Sequence, residues 1–317
     1  MATLLIIMKK QYQYLFGPVP SRRFSRSLGI DLTPPKTCTL DCVFCQLGET
    51  THQTLTRDEY VPTQKVLAEL EHWLKNGGTA DYITLSGSGE PTLHNRFGEV
   101  LQYVHEHSKI PCVLLTNGTL LHLPEVSEAA CKADIVKISL SAWDDGSYRW
   151  INRPHAALTF DDLYKGIKAF CSRFTGKIWL EVFMIAGMNA LPSDVTKIAA
   201  AAKALSPDRI HLNTAVRPPA HDFVMPVPRE KLQRFASFFT PTAEVIAAFK
   251  TEHSPAVQAN ADQLMTLLKR RPCTVDQMTR LFNMHPNELA KYTGQLLKDG
   301  RIERIRQGGV EYYRFTA

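Results

Sequence analysis

Three of the chain's seven cysteines fall within eight positions, in the run Cys38-Thr-Leu-Asp-Cys42-Val-Phe-Cys45. Thiolates at this C-x3-C-x2-C spacing suit several chemistries. On a helix all three would share one face as core packing, but Pro34-Pro35 just upstream and Thr39, Val43 and Phe44 within the run disfavour a helix. Cys42 and Cys45 alone make a thioredoxin-like pair, which leaves Cys38 idle. A structural zinc site wants a closed tetrahedral set and normally a second C-x2-C knuckle; none follows, although His52 could supply a fourth ligand. A [4Fe–4S] cluster takes thiolates as its normal ligands, and three of them leave one iron open. An open metal position is what a catalytic site needs. The other cysteines, Cys112, Cys131, Cys171 and Cys273, lie in apolar or helical stretches and read as small buried side chains. An odd, sparse count in a chain of this length argues against a disulfide framework.

A second motif, Leu85-Ser-Gly87-Ser-Gly89-Glu90-Pro91-Thr92, directly follows a predicted strand. A dinucleotide fingerprint would place a third glycine where Thr92 stands, and Pro91 removes a backbone donor where phosphates need one. Gly87 and Gly89 instead predict a backbone that approaches a ligand closely or adopts positive φ.

Together, the cysteine run with Phe44 before its last member and Gly89-Glu90-Pro91 after the second strand resemble the radical S-adenosylmethionine (SAM) enzymes. The resemblance implies that Cys38, Cys42 and Cys45 hold a [4Fe–4S] cluster whose open iron chelates SAM. One electron then cleaves the sulfonium to methionine and a 5′-deoxyadenosyl radical, which abstracts hydrogen from a substrate. It further implies that Gly89, Glu90 and Pro91 help hold the methionine ammonium. Polar groups at later strand ends, Asn117 and Ser139 here, would serve the ribose and carboxylate of SAM. Where relatives often carry aspartate this chain has Ser141. No flavin or nicotinamide motif is visible, so the electron is expected from an external donor of flavodoxin or ferredoxin type. The stretch Gly17–Asp31 is similar to a poorly defined branch related to the enzymes of wyosine-tRNA synthesis. RNA and a protein side chain both stand as substrate classes.

Other candidates come from the residues themselves. Glu181 sits among apolar neighbours, so facing inward it would need a partner or a ligand, whereas facing outward it would be an ordinary strand residue. Asn189, Asn213 and Arg217 follow strands and are further candidates for ligand contact. The tetrad Asn152-Arg153-Pro154-His155, in the segment after the fourth strand, suggests substrate recognition through Arg153 and His155, or else a stiffened turn.

The elements that must position these groups alternate. Predicted strands at Ser27–Leu32, Tyr82–Leu85, Cys112–Thr116, Ile135–Leu140, Ile178–Met184 and Arg209–Asn213 are separated by amphipathic stretches near 63–75, 94–107, 123–131, 159–172 and 192–204, with another at 228–239. Such alternation indicates parallel β/α units, either a partial (β/α)6 TIM-like barrel or an open doubly wound sheet; the barrel is the expected fold. Residues 1–240, with an N-terminal extension 1–26, form this core. Residues 241–257 read as a linker, and 258–317 as three short helices and a hairpin resembling a winged helix-turn-helix.

Composition sets outer bounds. With 317 residues, 44% hydrophobic and 21% charged, the chain is neither disordered nor collagen-like. No run is long enough to span a membrane, and Leu4–Met8 is too short for a signal-peptide core, so a cytoplasmic protein is expected. The net charge of +6 includes two basic stretches, Ser21–Arg26 and the tail from Pro255, both read as solvated faces. The rival reading is an iron–sulfur-sensing regulator that places Asn287–Leu297 in a DNA groove.

Overall fold

The computed structural model describes residues 12–21, 23–247, 261–282, 284 and 286–316. An antiparallel hairpin, β1 (Leu15–Ser21) and β2 (Ser25–Ile30), comes first. The cysteine loop follows, tied down by two-residue strands β3 (Thr37–Cys38) and β4 (His52–Gln53). Then come α1 (Thr63–Lys75), β5 (Tyr82–Leu85), a 3-10 turn Pro91–Leu93, α2 (Phe97–His107), β6 (Cys112–Thr116), α3 (Pro124–Ala130) and β7 (Ile135–Ser139). The succession continues through α4 (Asp145–Asn152), α5 (Phe160–Arg173), β8 (Lys177–Ala186), α6 (Pro192–Lys203), β9 (Arg209–Thr214), β10 (Met225–Pro226), α7 (Arg229–Ala236) and β11 (Glu244–Val245).

The central strands are buried on both faces, which explains their near-continuous apolar runs, such as Ile135-Val136 and Ile138 in β7. The helices bury one stripe each; in α1 it is Thr63, Val66, Leu70 and Trp73, at helical spacing. Thr159 caps α5 by accepting from the Asp162 amide, and prolines open α3 and α6.

From β2 to β9 the sheet order follows chain order, β2-β5-β6-β7-β8-β9, and every pair is parallel. A doubly wound sheet would reverse at a switch point; this one does not. It is also strongly curled. Four strand steps separate β2 from β8, about 19 Å across a flat sheet. Yet the Phe24 ring, just ahead of β2, stacks on Trp179 of β8 with ring centroids 5.1 Å apart. Only a sheet bent towards closure brings them together: a partial barrel.

All six predicted strands are present, with ends shifted by a few residues. The structure adds β1, α4 and β11, which the sequence pattern did not indicate. β11 pairs parallel with His211–Leu212 of β9, so the start of the expected linker belongs to the sheet. The expected boundary at 258 and most of the linker lie outside the described residues, as does the Leu4–Met8 run. Among the described residues no helix is long and apolar enough to cross a membrane.

The C-terminal unit comprises α8 (Ala261–Leu268), α9 (Val275–Phe282), α10 (Pro286–Lys298) and the hairpin β12 (Ile302–Gln307) and β13 (Val310–Phe315). Gly308 and Gly309, both at positive φ, make the tight turn. The unit has its own core, including Leu264, Met278, Leu289 and Ile302. Its contacts with the barrel include Arg270 and Tyr312. Arg270 lies 3.7 Å from Asp31 and packs over the Phe16 ring of β1. Tyr312 Oη donates to the Val216 carbonyl, just past β9, at 3.5 Å. Since β1 and β9 lie towards opposite edges of the sheet, the unit spans the open side of the barrel.

Candidate functional site

The hairpin turn between β1 and β2 closes the barrel at the amino ends of its strands. Phe24 is buried there against Val113, Ile135 and Trp179. Beside it Arg23 enters the interior, where its Nη2 donates to Glu181 Oε1 at 2.7 Å. Lys137 Nζ donates to Glu181 Oε2 at 2.6 Å, and Asn213 Nδ2 to Oε1 at 2.8 Å. Glu181 therefore faces inward, from β8, between groups on β7 and β9. Burial pushes its carboxyl up, but the Arg23 and Lys137 charges outweigh burial and hold it well below the usual carboxylate range. The solvated-face reading of Ser21–Arg26 is thus corrected for Arg23. Phe24 beside it drives the turn into the core.

At the other end of the barrel the cysteine loop is laced to its surroundings by backbone hydrogen bonds. The Glu90 amide donates to Thr37 O at 3.1 Å, and the Lys36 amide to Ser88 O at 2.8 Å. A Cβ on Gly89 would lie 1.8 Å from Thr37 O. The close approach predicted for Gly89 is therefore to the cysteine loop itself, and Gly87 has the Asp31 carboxyl in the same relation at 2.3 Å. The two motifs form one packed unit.

The segment Asn152–His155 clamps the loop from behind. Asp41 N donates to Asn152 O and Arg153 O, Val43 N to Ile151 O, and His155 N to Thr39 O. Trp150–Asn152 end helix α4, and Arg153 caps it in the left-handed conformation. The Arg153 side chain meets His221 at 2.6 Å. Neither Arg153 nor His155 lines the central cavity, whereas Arg217 does. The backbone of this tetrad is taken up by the cysteine loop. Asn189 is likewise internal scaffolding, because its amide bonds Ser141 O, Phe183 O and the Ile185 amide.

Cys38, Cys42 and Cys45 are free and half-buried. Burial, then the nearby Glu90 charge, push the Cys38 thiol up to about 12. Burial and the neighbouring Cys38 and Cys45 push Cys42 up further. Each sulfur faces a side-chain N–H donor: Asn117 Nδ2 at 3.6 Å from Cys38, Asn152 Nδ2 at 3.3 Å from Cys42, and Lys36 Nζ at 3.4 Å from Cys45; the Leu40 amide also bonds Cys38. Among the described residues no three Cys, His, Asp or Glu side chains form a group that could hold a single ion, His52 included. A [4Fe–4S] cluster spreads its thiolates over separate irons. The desolvated Cys38 and Cys42 thiols, both with raised pKa, suit a cationic metal core, which would neutralise them.

Glu90 is fully buried, and burial raises its pKa. Its carboxylate accepts from Thr92 N, Thr92 Oγ1, Thr116 Oγ1 and Asn117 N at 2.7 to 3.1 Å. It thereby fixes Pro91 and the end of β6. A cavity of about 1920 Å³ runs from Arg23 and Glu181 past Asn213, Ser139, Asn117 and Glu90 to the three cysteines. The C-terminal unit contributes Leu267, Arg271 and Phe282 to its wall.

Residues 32–201 match the radical SAM superfamily, and that stretch holds both motifs. The chain belongs to the radical SAM superfamily. Radical SAM proteins use a [4Fe–4S] cluster and SAM. Curated relatives include a protein of Brachyspira hyodysenteriae named GTPase Obg, 29% identical over 96% of this chain; the chain spans 45% of that protein's length. A UPF0026 protein of Methanocaldococcus jannaschii is 27% identical over 94% of both chains. A UPF0026 protein of Synechocystis is 36% identical over 67% of this chain and 78% of its own. Among solved structures, a radical SAM methyltransferase from Sphaerobacter thermophilus shares the fold with a TM-score of 0.52 at 19% identity, covering 69% of this chain and 65% of the other. Streptococcus suis SuiB bound to its precursor peptide SuiA gives 0.53 at 17%, covering 73% and 51%.

Sequence reasoning missed Arg23, Lys36, Arg270 and Arg271. Only Arg23 carried a local signal, the apolar Phe24 beside it in a basic run. The others act through contacts distant in sequence or through a backbone conformation that residue type does not reveal.

Proposed function

We propose that this chain is a radical SAM enzyme in which Cys38, Cys42 and Cys45 ligate three irons of the cluster and leave the fourth for SAM. The observation that carries this is the convergence of the three thiols with Glu90 and Asn117 on one cavity at the carboxyl ends of the strands. Gly89, Glu90 and Pro91 position the methionine end of SAM, and Asn117 and Ser139 serve its ribose and carboxylate. The cluster and SAM, once bound, supply reductive sulfonium cleavage and a hydrogen-abstracting radical. An external flavodoxin- or ferredoxin-type donor provides the electron. Arg23, Glu181 and Asn213 form the floor, and the C-terminal unit keeps water from the open side.

RNA is the substrate class we favour. Six cationic side chains line the cavity (Arg23, Lys36, Lys137, Arg217, Arg270 and Arg271) against two acidic ones, Glu90 and Glu181. Counting Asp31 beside Arg270 still leaves an excess of three, six against three. An anionic substrate fits that lining better than a neutral peptide. The C-terminal unit, whose winged-helix character we also infer, helps form this cavity, which supports a part in catalysis over a separate DNA-binding role. The barrel core then extends to at least β11.

Anaerobic reconstitution should load about four irons per chain, and dithionite with SAM should then release 5′-deoxyadenosine. Intact SAM after verified cluster reduction would remove the reading.

A further inference from the structure

We propose that Lys36 sets the reduction potential of the cluster through a charge-assisted N–H···S bond to Cys45, with Asn152 and Asn117 as its weaker, neutral counterparts on Cys42 and Cys38. The inference rests on the ligation proposed above. Its basis is the arrangement of three side-chain donors from three separate elements, one facing each sulfur, at 3.4, 3.3 and 3.6 Å. Lys36 differs from the other two in charge and in backbone. Its φ of +60° lies in the left-handed region that long side chains avoid. Such a conformation persists only where the surroundings impose it, and it marks functional positions more often than idle ones. Here it is fixed from both sides, by Lys36 N to Ser88 O at 2.8 Å and by His52 N to Lys36 O at 3.1 Å. It carries the side chain over the loop, where Nζ also donates to the Gly48 carbonyl beyond Cys45.

The physical consequence follows from charge. One-electron reduction adds a negative charge that spreads onto the cysteine sulfurs. A nearby cation in a partly desolvated setting stabilises the reduced form and raises the potential. Neutral amide donors act the same way but more weakly.

The test is a redox titration of the reconstituted full-length protein, without SAM, followed by electron paramagnetic resonance. Lys36→Met should shift the reduced-to-oxidised ratio at a fixed potential about tenfold towards oxidised, about 59 mV downward for a one-electron couple. Lys36→Arg should restore most of it, and Asn152→Leu should move it less than Lys36→Met. An unchanged potential in a Lys36→Met protein with full iron content overturns the proposal. A residue that merely braced Gly48 would alter thermal stability but not the potential. Should Lys36→Met fail to load iron, the unaltered chain decides: with lysine labelled in heavy nitrogen, the reduced cluster should show hyperfine coupling to one lysine nitrogen. Its absence contradicts the proposal. Iron loading itself reports on the ligation, so failure of one reading is separable from failure of the other.

Discussion

The two ends of the barrel handle buried polar groups in opposite ways. At the floor, Glu181 is matched by Arg23, Lys137 and Asn213, so every charge has a partner within the chain. At the mouth, burial raises the Cys38 and Cys42 thiols, helped by Glu90 at Cys38 and by Cys38 and Cys45 at Cys42, and the side-chain donors facing the three sulfurs are an ammonium and two amides. The floor's carboxylate is paired within the chain, whereas the mouth is arranged for something cationic from outside. Substitutions at the two ends should therefore fail differently.

The largest stability effect belongs to the floor. Glu181→Gln leaves Arg23 and Lys137 buried without a counter-charge and should cost about 3–5 kcal/mol in urea unfolding of the metal-free chain. Cys42→Ala should change that same stability by about 1 kcal/mol or less, while abolishing iron uptake. Equal costs at the two ends would break the contrast.

Next in size is a pH effect at His211, whose ring lies edge-on to Trp179 with centroids 5.3 Å apart. Burial, ahead of the nearby charges, lowers the His211 pKa to about 4. The unfolded chain takes up that proton near pH 6.5 and the folded chain does not, so stability falls as pH drops from there towards 4. The loss amounts to about 3 kcal/mol, and His211→Leu should flatten it. Glu181, whose folded pKa is depressed, contributes stability that is lost only at lower pH. A wild-type chain equally stable at pH 7 and pH 4.5 would contradict this.

The smallest effect concerns the C-terminal unit. Arg270→Ala removes the contact with Asp31, which accepts from Ser88 N at 3.0 Å and Ser88 Oγ at 2.6 Å. It should cost about 1 kcal/mol in global stability yet raise hydrogen exchange in α8 and around Ser88. Faster exchange in neither segment would show that the unit does not brace the mouth.

The difference between the ends also explains what the sequence made legible. The mouth's chemistry sits in two short local motifs, and the strands and helices that carry it announce themselves by period, so both were readable. The floor depends on a pairing between residues 158 positions apart, Arg23 and Glu181. Such a pair forms only once the sheet has curled, and nothing local signals it. Asn152–His155 shows a second such pairing. Its polar residues suggest recognition, but the backbone groups of that segment are taken up by the cysteine loop, a pairing visible only in three dimensions.

The most direct test of the central claim is Mössbauer spectroscopy of the iron-reconstituted protein before and after SAM is added. If three cysteines hold the cluster and one iron is left for SAM, one iron in four should change its isomer shift while the rest stay put. Four irons that remain equivalent and unchanged when SAM is present would contradict the account.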